Sequence, residues 1–174
     1  IAKQQNLIDQ SQWAPVWIVD FPLVEYNEDL NRWDALHHPF TSPNFEDINL
    51  LKTDPGAVRS LGYDIVMNGY ELGGGSIRIH DSSLQSEIFK LLGIESDEAK
   101  EKFGFLMNAF QYGAPPHGGM AFGFDRIIML LAGSNQIRDV IAFPKTTSAI
   151  SLMDNSPSLV DEIQLNDLGL KLKK

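Results

Sequence analysis

The residues of this chain best suited to chemistry are charged side chains that stand alone in apolar or glycine-rich surroundings. In Tyr63 to His80 (YDIVMNGYELGGGSIRIH), Asp64 and Glu71 are isolated carboxylates and Arg78 is the one Lys or Arg. Carboxylates rarely occupy such a setting without a partner or a metal. A pair of them suits Mg²⁺, which takes hard oxygen ligands and usually shares them with substrate phosphates. Gly73, Gly74 and Gly75 lack side chains, so a ligand could approach the backbone there; a simple bulge or turn explains them equally well. The Arg78 guanidinium is shaped for a bidentate grip on a carboxylate. The alternative is a structural ion pair with Glu71. No Lys-Ser or Lys-Thr follows the glycines, so this is not a Walker A loop, and the spacing is wrong for a dinucleotide fingerprint.

Two further segments qualify. Leu36-His37-His38-Pro39-Phe40 carries adjacent histidines. Neighbours on a strand point to opposite faces, so one histidine is expected at a site and the other inward, and a purely structural pair is the competing reading. Gly118 to Arg126 (GGMAFGFDR) leads into an apolar run. Arg126 would fall in the first turn of a helix, where backbone N–H groups and a guanidinium together make an anion site. A surface pair between Arg126 and Asp125 is the plainer explanation.

Positioning these groups requires strands and helices in a particular order. Ala14 to Glu25 is a short apolar run bounded by prolines, expected as one buried strand, and Trp33 to Phe40 as another. Tyr63 to Asn68 and Ser76 to His80 are strand candidates that could pair antiparallel, with a glycine-dense stretch between them. Thr41 to Gly56 is punctuated by Ser-Pro and Asp-Pro and has room for one helical turn. Asp81 or Ser82 can cap a helix reaching Leu92, with Gly93 just past its end. Ser96 can cap a second helix to about Tyr112, with Asp97 and Glu98 in the turn that favours carboxylates. A strand over Gly119 to Phe124 and an apolar helix over Asp125 to Ala132 complete the pattern. Strands and helices interleave without a regular βαβ alternation, which predicts an α+β fold with a largely antiparallel sheet.

Composition narrows the function classes. The 174 residues carry 43% hydrophobic and 21% charged residues, an ordinary globular balance. No apolar run approaches the roughly 20 residues of a membrane span, so no membrane partner is expected. The chain has no cysteine, which excludes disulfides and thiolate zinc sites and suits a cytoplasmic protein. The formal net charge of −9 makes it a poor main RNA-gripping surface, although a few local Arg and His residues suffice for a small-molecule site.

Taken together and in order, the three segments resemble class II aminoacyl-tRNA synthetases. Gly-Phe-Asp-Arg126 followed by an apolar helix looks like motif 3 of that class. Asn68 to His80, His-His-Pro-Phe-Thr-Ser-Pro and Arg138-Asp-Val-Ile-Ala-Phe-Pro-Lys145 are similar to the bacterial aspartyl type, and the similarity covers nearly the whole chain. The resemblance implies an antiparallel sheet flanked by helices, forming the C-terminal part of a catalytic domain over residues 13–174. Residues 1–12 would be the exit from an inserted domain. It implies that Arg78 grips the side-chain carboxylate of L-aspartate, with His37, His38 and Gly74 at the amino-acid pocket. Glu71 would contact ATP and share Mg²⁺ with Asp64. Gly123, Phe124, Asp125 and Arg126 would bound the nucleotide pocket, Arg126 meeting the γ-phosphate. The family's reaction joins aspartate to ATP and then charges the tRNA 3′ end, in an enzyme that is a homodimer. Motif 1, motif 2 and an anticodon-binding barrel are not found in these residues, so little or no aminoacylation is expected of them alone. A related asparaginyl or lysyl enzyme, a paralogue that makes an adenylate for another purpose, and an inactive module of the same fold are the competing readings. Arg78 speaks against lysine on charge.

Overall fold

The computed structural model describes residues 1–172 except Lys3, Asn6 and Gln10. Three of the residues expected to leave an inserted domain therefore lie outside the described ones. The chain divides into two compact units, Ile1–Arg126 and Ile127–Lys174. No helix among the described residues is long and apolar enough to cross a membrane.

The first unit is built on a four-stranded antiparallel sheet in the order β1 (Pro15–Ile18), β4 (Gly62–Met67), β5 (Tyr70–Ile77), β6 (Gly118–Phe122). A separate two-stranded ribbon pairs β2 (Val24–Asn27) with β3 (Arg32–Ala35). The apolar run from Ala14 to Glu25 is thus two strands in two sheets. Asp20, at φ 59°, and the Phe21-Pro22 step break it, because neither a left-handed residue nor a proline continues a ladder. The expected α+β class with an antiparallel sheet is what the structure shows.

The β4–β5 hairpin turns on Asn68 and Gly69, both with positive φ (50° and 85°). A two-residue loop of this kind matches the twist of its strands and needs residues that tolerate the left-handed region. Asn68 also anchors the approach to β1: its Oδ1 accepts from the Ala14 N–H at 2.8 Å, and its Nδ2 donates to the Gln12 carbonyl at 3.0 Å.

Helix α1 (Ser82–Leu91) starts where its cap is, the Asp81 carboxylate accepting from the Leu84 N–H at 2.8 Å. It ends before Gly93, whose φ of 72° is the left-handed conformation that stops helices. Helix α2 (Ser96–Phe110) has Glu95 at its N-cap, without a side-chain bond, so Ser96 is inside the helix and not its cap. Helix α3 (Phe124–Leu131) begins one residue earlier than the sequence suggests, and the boundary between the units falls inside it. The second unit holds a 3-10 turn at Ile137–Asp139 and the short helix α4 (Glu162–Asp167).

The core of the first unit joins Leu23 and Val24 to Leu51, Val58, Ile79, Ile88 and Leu92. Burial of each such side chain contributes about 1.5–3 kcal/mol. Beside it, Arg59 ties the 3-10 segment Phe45–Lys52 to the strand approach. Its Nε donates to Asp47 Oδ2 at 2.8 Å, its backbone N–H to the same oxygen at 3.1 Å, and its Nη2 to Glu46 at 3.2 Å. The Arg59 side chain, and then its N–H, hold the Asp47 carboxyl below its ordinary value. A depressed carboxyl stabilises the fold above its unfolded pKa and loses that contribution as pH falls through the lower folded value. We expect the melting temperature to drop as pH falls below about 4. Asp47→Asn should melt lower at neutral pH and show a shallower acid drop; identical pH profiles for the two proteins would refute this role.

Candidate functional site

The site is laid out by one irregularity in the β4–β5 ladder. Asp64 pairs with Gly74 and Ile65 with Gly73, but Val66 pairs with Glu71, so Leu72 is an extra residue. In a regular ladder Glu71 would oppose Met67 and face away from Asp64. The bulge shifts it by one, placing Glu71 opposite Val66 and on the same face as Asp64. Gly74, Ser76 and Arg78 follow at period two on that face. Gly74 leaves the room: a Cβ there would run into the Asp64 carboxylate. Gly73 and Gly75 answer a different need, because a Cβ at either would collide with β6 backbone, at the carbonyls of Ala121 and Gly119. The glycines therefore do more than open space for a ligand; two of them let β6 pair closely.

These groups line a cleft of about 470 Å³. Asp64, Glu71, Gly74 and Arg78 bound it from β4, β5 and the segment after β5, while Gly123 and Arg126 bound it from the start of α3. His37 and His38 both line it. The expectation that only one histidine faces the site is overturned, because β3 ends at Ala35 and the histidines lie in the turn beyond it, where strand alternation does not apply. Phe124 and Asp125 are not in the cleft lining, and Phe124 is 72% exposed. Successive residues of a helix are turned by about 100°, so bringing Arg126 to the cleft carries its two predecessors away. A larger cavity, about 840 Å³ between α1 and α2, contains none of these residues.

Each charge is held differently. Arg78 is fixed through its backbone: its N–H donates to the His117 carbonyl at 2.9 Å, and it bridges Thr41. Among the described residues its guanidinium has no acidic partner, and no Glu71–Arg78 pair forms. Arg126 donates from Nη1 to the Glu71 carbonyl at 2.7 Å, with the Glu71 carboxylate at 3.9 Å. That exposed pair is worth about 0–1 kcal/mol, so it orients Arg126 while leaving its charge available. The Asp125–Arg126 pair expected on the plainer reading is absent among the described residues. Burial first, and the Arg78 charge second, hold the His38 pKa below its ordinary value, which favours the neutral ring.

Thr41, Ser76 and Phe122 also line the cleft and escaped the sequence reading. Thr41 Oγ1 donates to Ser76 Oγ at 3.2 Å, a buried contact between two cleft-lining residues. Ser76 was detectable, standing midway between Gly74 and Arg78 at period two. Phe122 pairs with Gly73, so its ring has no side chain opposite.

The arrangement is a cation without an acidic partner among the described residues, two carboxylates on one face of the β4–β5 hairpin and a second cation at a helix start. The family description "tRNA synthetases class II (D, K and N)" matches residues 2–147. The chain belongs to the class II tRNA synthetases of the D, K and N group. Among curated class II synthetases, it is 59% identical over 172 residues to an aspartate–tRNA(Asp/Asn) ligase of Caldanaerobacter subterraneus subsp. tengcongensis, covering 99% of this chain and 29% of that protein. It is 57% identical to an aspartate–tRNA ligase of Clostridium tetani, covering 100% of this chain and 30% of that one. The chain thus spans under a third of the length of these synthetases. Among solved structures, an aspartyl-tRNA synthetase from Entamoeba histolytica superposes with a TM-score of 0.59 at 24% identity, over 86% of this chain and 25% of that one. The asparaginyl-tRNA synthetase of the same organism, in complex with asparaginyl-adenylate, gives 0.58 at 22%, over 79% and 26%. At these identities the two structures show that the synthetase fold is shared.

Proposed function

We propose that this chain supplies the amino-acid pocket and the third motif of a longer cytoplasmic, dimeric enzyme that activates L-aspartate with ATP and passes it to the 3′ end of tRNA. The observation that carries the reading is Arg78, a half-buried guanidinium beside the cleft with no acidic partner among the described residues. A cation so placed favours a ligand that brings its own carboxylate. Asparagine would leave it facing a neutral amide, and a lysine side chain would be repelled.

In the proposed reaction an α-carboxylate oxygen of aspartate attacks the α-phosphorus of ATP, and pyrophosphate leaves. A tRNA 3′-terminal hydroxyl then attacks the carbonyl carbon of the mixed anhydride, and AMP leaves. Neither step asks much of an acid or base; positioning and charge neutralisation lower the barrier. Arg78, with neutral His38 beside it, fixes the aspartate side chain, and His37 borders the same pocket. Arg126, held by the Glu71 carbonyl, meets the phosphate that leaves, and Gly123 borders the same cleft.

Asp64 and Glu71 suit Mg²⁺. They share one face of the β4–β5 hairpin, and no set of three or more His, Cys, Asp or Glu residues forms a closed metal cage among the described residues. Mg²⁺ uses few protein carboxylates when phosphates complete its shell. Bound there, it neutralises phosphate charge and orients the leaving group. Gly74→Ala should push the Asp64 carboxylate off this position. In the intact enzyme the Mg²⁺ concentration for half-maximal ATP–pyrophosphate exchange should rise by about ten-fold, the upper part of the range for losing a supporting contact being larger. An unchanged Mg²⁺ requirement would remove Asp64 from the metal site.

The proposed assignment is tested by ATP–pyrophosphate exchange in the intact enzyme with aspartate, asparagine and lysine in turn. Exchange driven by aspartate supports it, and exchange driven by lysine or asparagine in preference overturns it. The 174-residue chain by itself should give little or no aspartylated tRNA; full aspartylation by these residues would refute the assignment of the remaining steps to a longer protein.

A further inference from the structure

Gln85 lies in α1, away from the cleft lining, yet it is a fully buried amide at 0% exposure. Its Nε2 donates to the Pro39 carbonyl at 2.8 Å, reaching 46 residues back along the chain. Its Oε1 has no hydrogen-bond partner among the described residues. A buried amide that leaves one end unsatisfied costs about 1–3 kcal/mol, which an apolar side chain of similar size would avoid. The polar residue is explained by what its other end holds.

What it holds is the turn His37-His38-Pro39-Phe40. After Pro39 the Phe40 carbonyl accepts from the Ile79 N–H at 2.9 Å, and the Phe40 ring packs edge-on against Phe89 and Phe103. The Phe40 N–H donates to His38 Nδ1 at 3.2 Å, and the Thr41 N–H to the His38 carbonyl at 2.9 Å. A backbone N–H only donates, so His38 Nδ1 must carry a lone pair and the ring proton must be on Nε2. The Pro39 carbonyl belongs to the peptide unit whose N–H is that same Phe40 donor. Gln85 therefore fixes the orientation of the peptide plane that sets the His38 tautomer.

The geometry points to Gln85 as a positioning residue that locks His38 in the Nε2–H tautomer, so that the cleft is offered a fixed hydrogen-bond donor beside Arg78. This deepens the proposed aspartate pocket and rests on it for the identity of the acceptor, which is a carboxylate oxygen of the substrate. The tautomer itself does not depend on any ligand.

The test is ¹⁵N-resolved NMR of the histidine rings of the 174-residue chain, with His80 and His117 as internal references, and of Gln85→Met, which keeps length and loses the donor. The expected result is one His38 tautomer, Nε2–H, in the unsubstituted chain, and a mixture of the two in Gln85→Met with His80 and His117 unmoved. An unmixed His38 in a folded Gln85→Met protein overturns the proposal. Should that variant not fold, the unsubstituted chain decides: the Gln85 amide protons must be protected from exchange with solvent, and rapid exchange or a mixed His38 overturns it. In the intact enzyme, Gln85→Met should raise KM for aspartate by about two-fold if the tautomers mix evenly, in proportion to the lost Nε2–H fraction, with KM for ATP unchanged. A mixed tautomer with unaltered aspartate KM would contradict the aspartate pocket and leave the positioning intact. An Nε2–H lock that survives Gln85→Met contradicts the positioning alone.

Discussion

Arg78→Leu in the intact enzyme is expected to lower kcat/KM for aspartate activation by about 30-fold to several thousand-fold, the roughly 2–5 kcal/mol lost when one partner of a desolvated charge pair is removed. The direction follows from the placement of the guanidinium. It is half-buried beside the cleft, without an acidic neighbour among the described residues, and anchored through its backbone to His117 and Thr41. Because the anchors are main-chain bonds, the leucine variant should fold, and circular dichroism should not distinguish it. The loss should fall on aspartate, with KM for ATP little changed. Arg78→Lys should rescue only part of it, since an ammonium cannot reproduce a two-pronged contact. Measuring ATP–pyrophosphate exchange against aspartate concentration for the three proteins decides the matter. Equal losses in Arg78→Leu for aspartate and ATP would mean that the residue supports the site as a whole.

Arg126→Ala should reduce kcat for the same exchange by about 100- to 1,000-fold, the range seen when a fixed electrostatic contact to developing charge is deleted. Arg126 is exposed and held by the Glu71 carbonyl at 2.7 Å, so the substitution removes little packing and the melting temperature should move slightly. A phosphate contact made mainly in the transition state predicts a kcat loss larger than the rise in KM for ATP. If KM for ATP rose alone, Arg126 would be a ground-state binder of the nucleotide and the charge-neutralising role would fail.

How much of this was legible in the sequence differs from residue to residue. Asp64, Glu71 and Arg78 stand out in the sequence because each is a charge among apolar residues and glycines, and Arg126 because it opens an apolar helix. That Asp64 and Glu71 share a face was not legible, since their separation alone does not reveal the extra residue at Leu72; a bulge is a property of two strands. The Asn68-Gly69 dipeptide is a hairpin signal, and the structure starts β5 at Tyr70, six residues before the strand expected from the alternation at Ser76. His37 and His38 were assigned to a strand by their apolar neighbours, whereas the chain leaves β3 at Ala35 and a turn brings both rings to the cleft. The resemblance puts Phe124 and Asp125 at the nucleotide pocket with Arg126, but helical geometry turns both away from the cleft lining. Helices α1 and α2 were legible because glycine stops, and for α1 the Asp81 cap, act locally, although the N-cap of α2 is Glu95 and not Ser96. Gln85 gave no sign of its role, since its partner is 46 residues away and only burial exposes the cost of its amide.

The central claim is that the cleft recognises a carboxylate side chain through Arg78. Its most direct test is the thermal shift of this chain with a non-hydrolysable aspartyl-adenylate analogue and Mg²⁺, beside the asparaginyl and lysyl analogues and the Arg78→Leu variant. A ligand that binds the folded state alone raises the melting temperature by mass action. The account predicts a rise with the aspartyl analogue that exceeds the asparaginyl one, is absent with the lysyl one, and is lost in Arg78→Leu. A rise of equal size with the lysyl analogue, or one that survives Arg78→Leu, would contradict it.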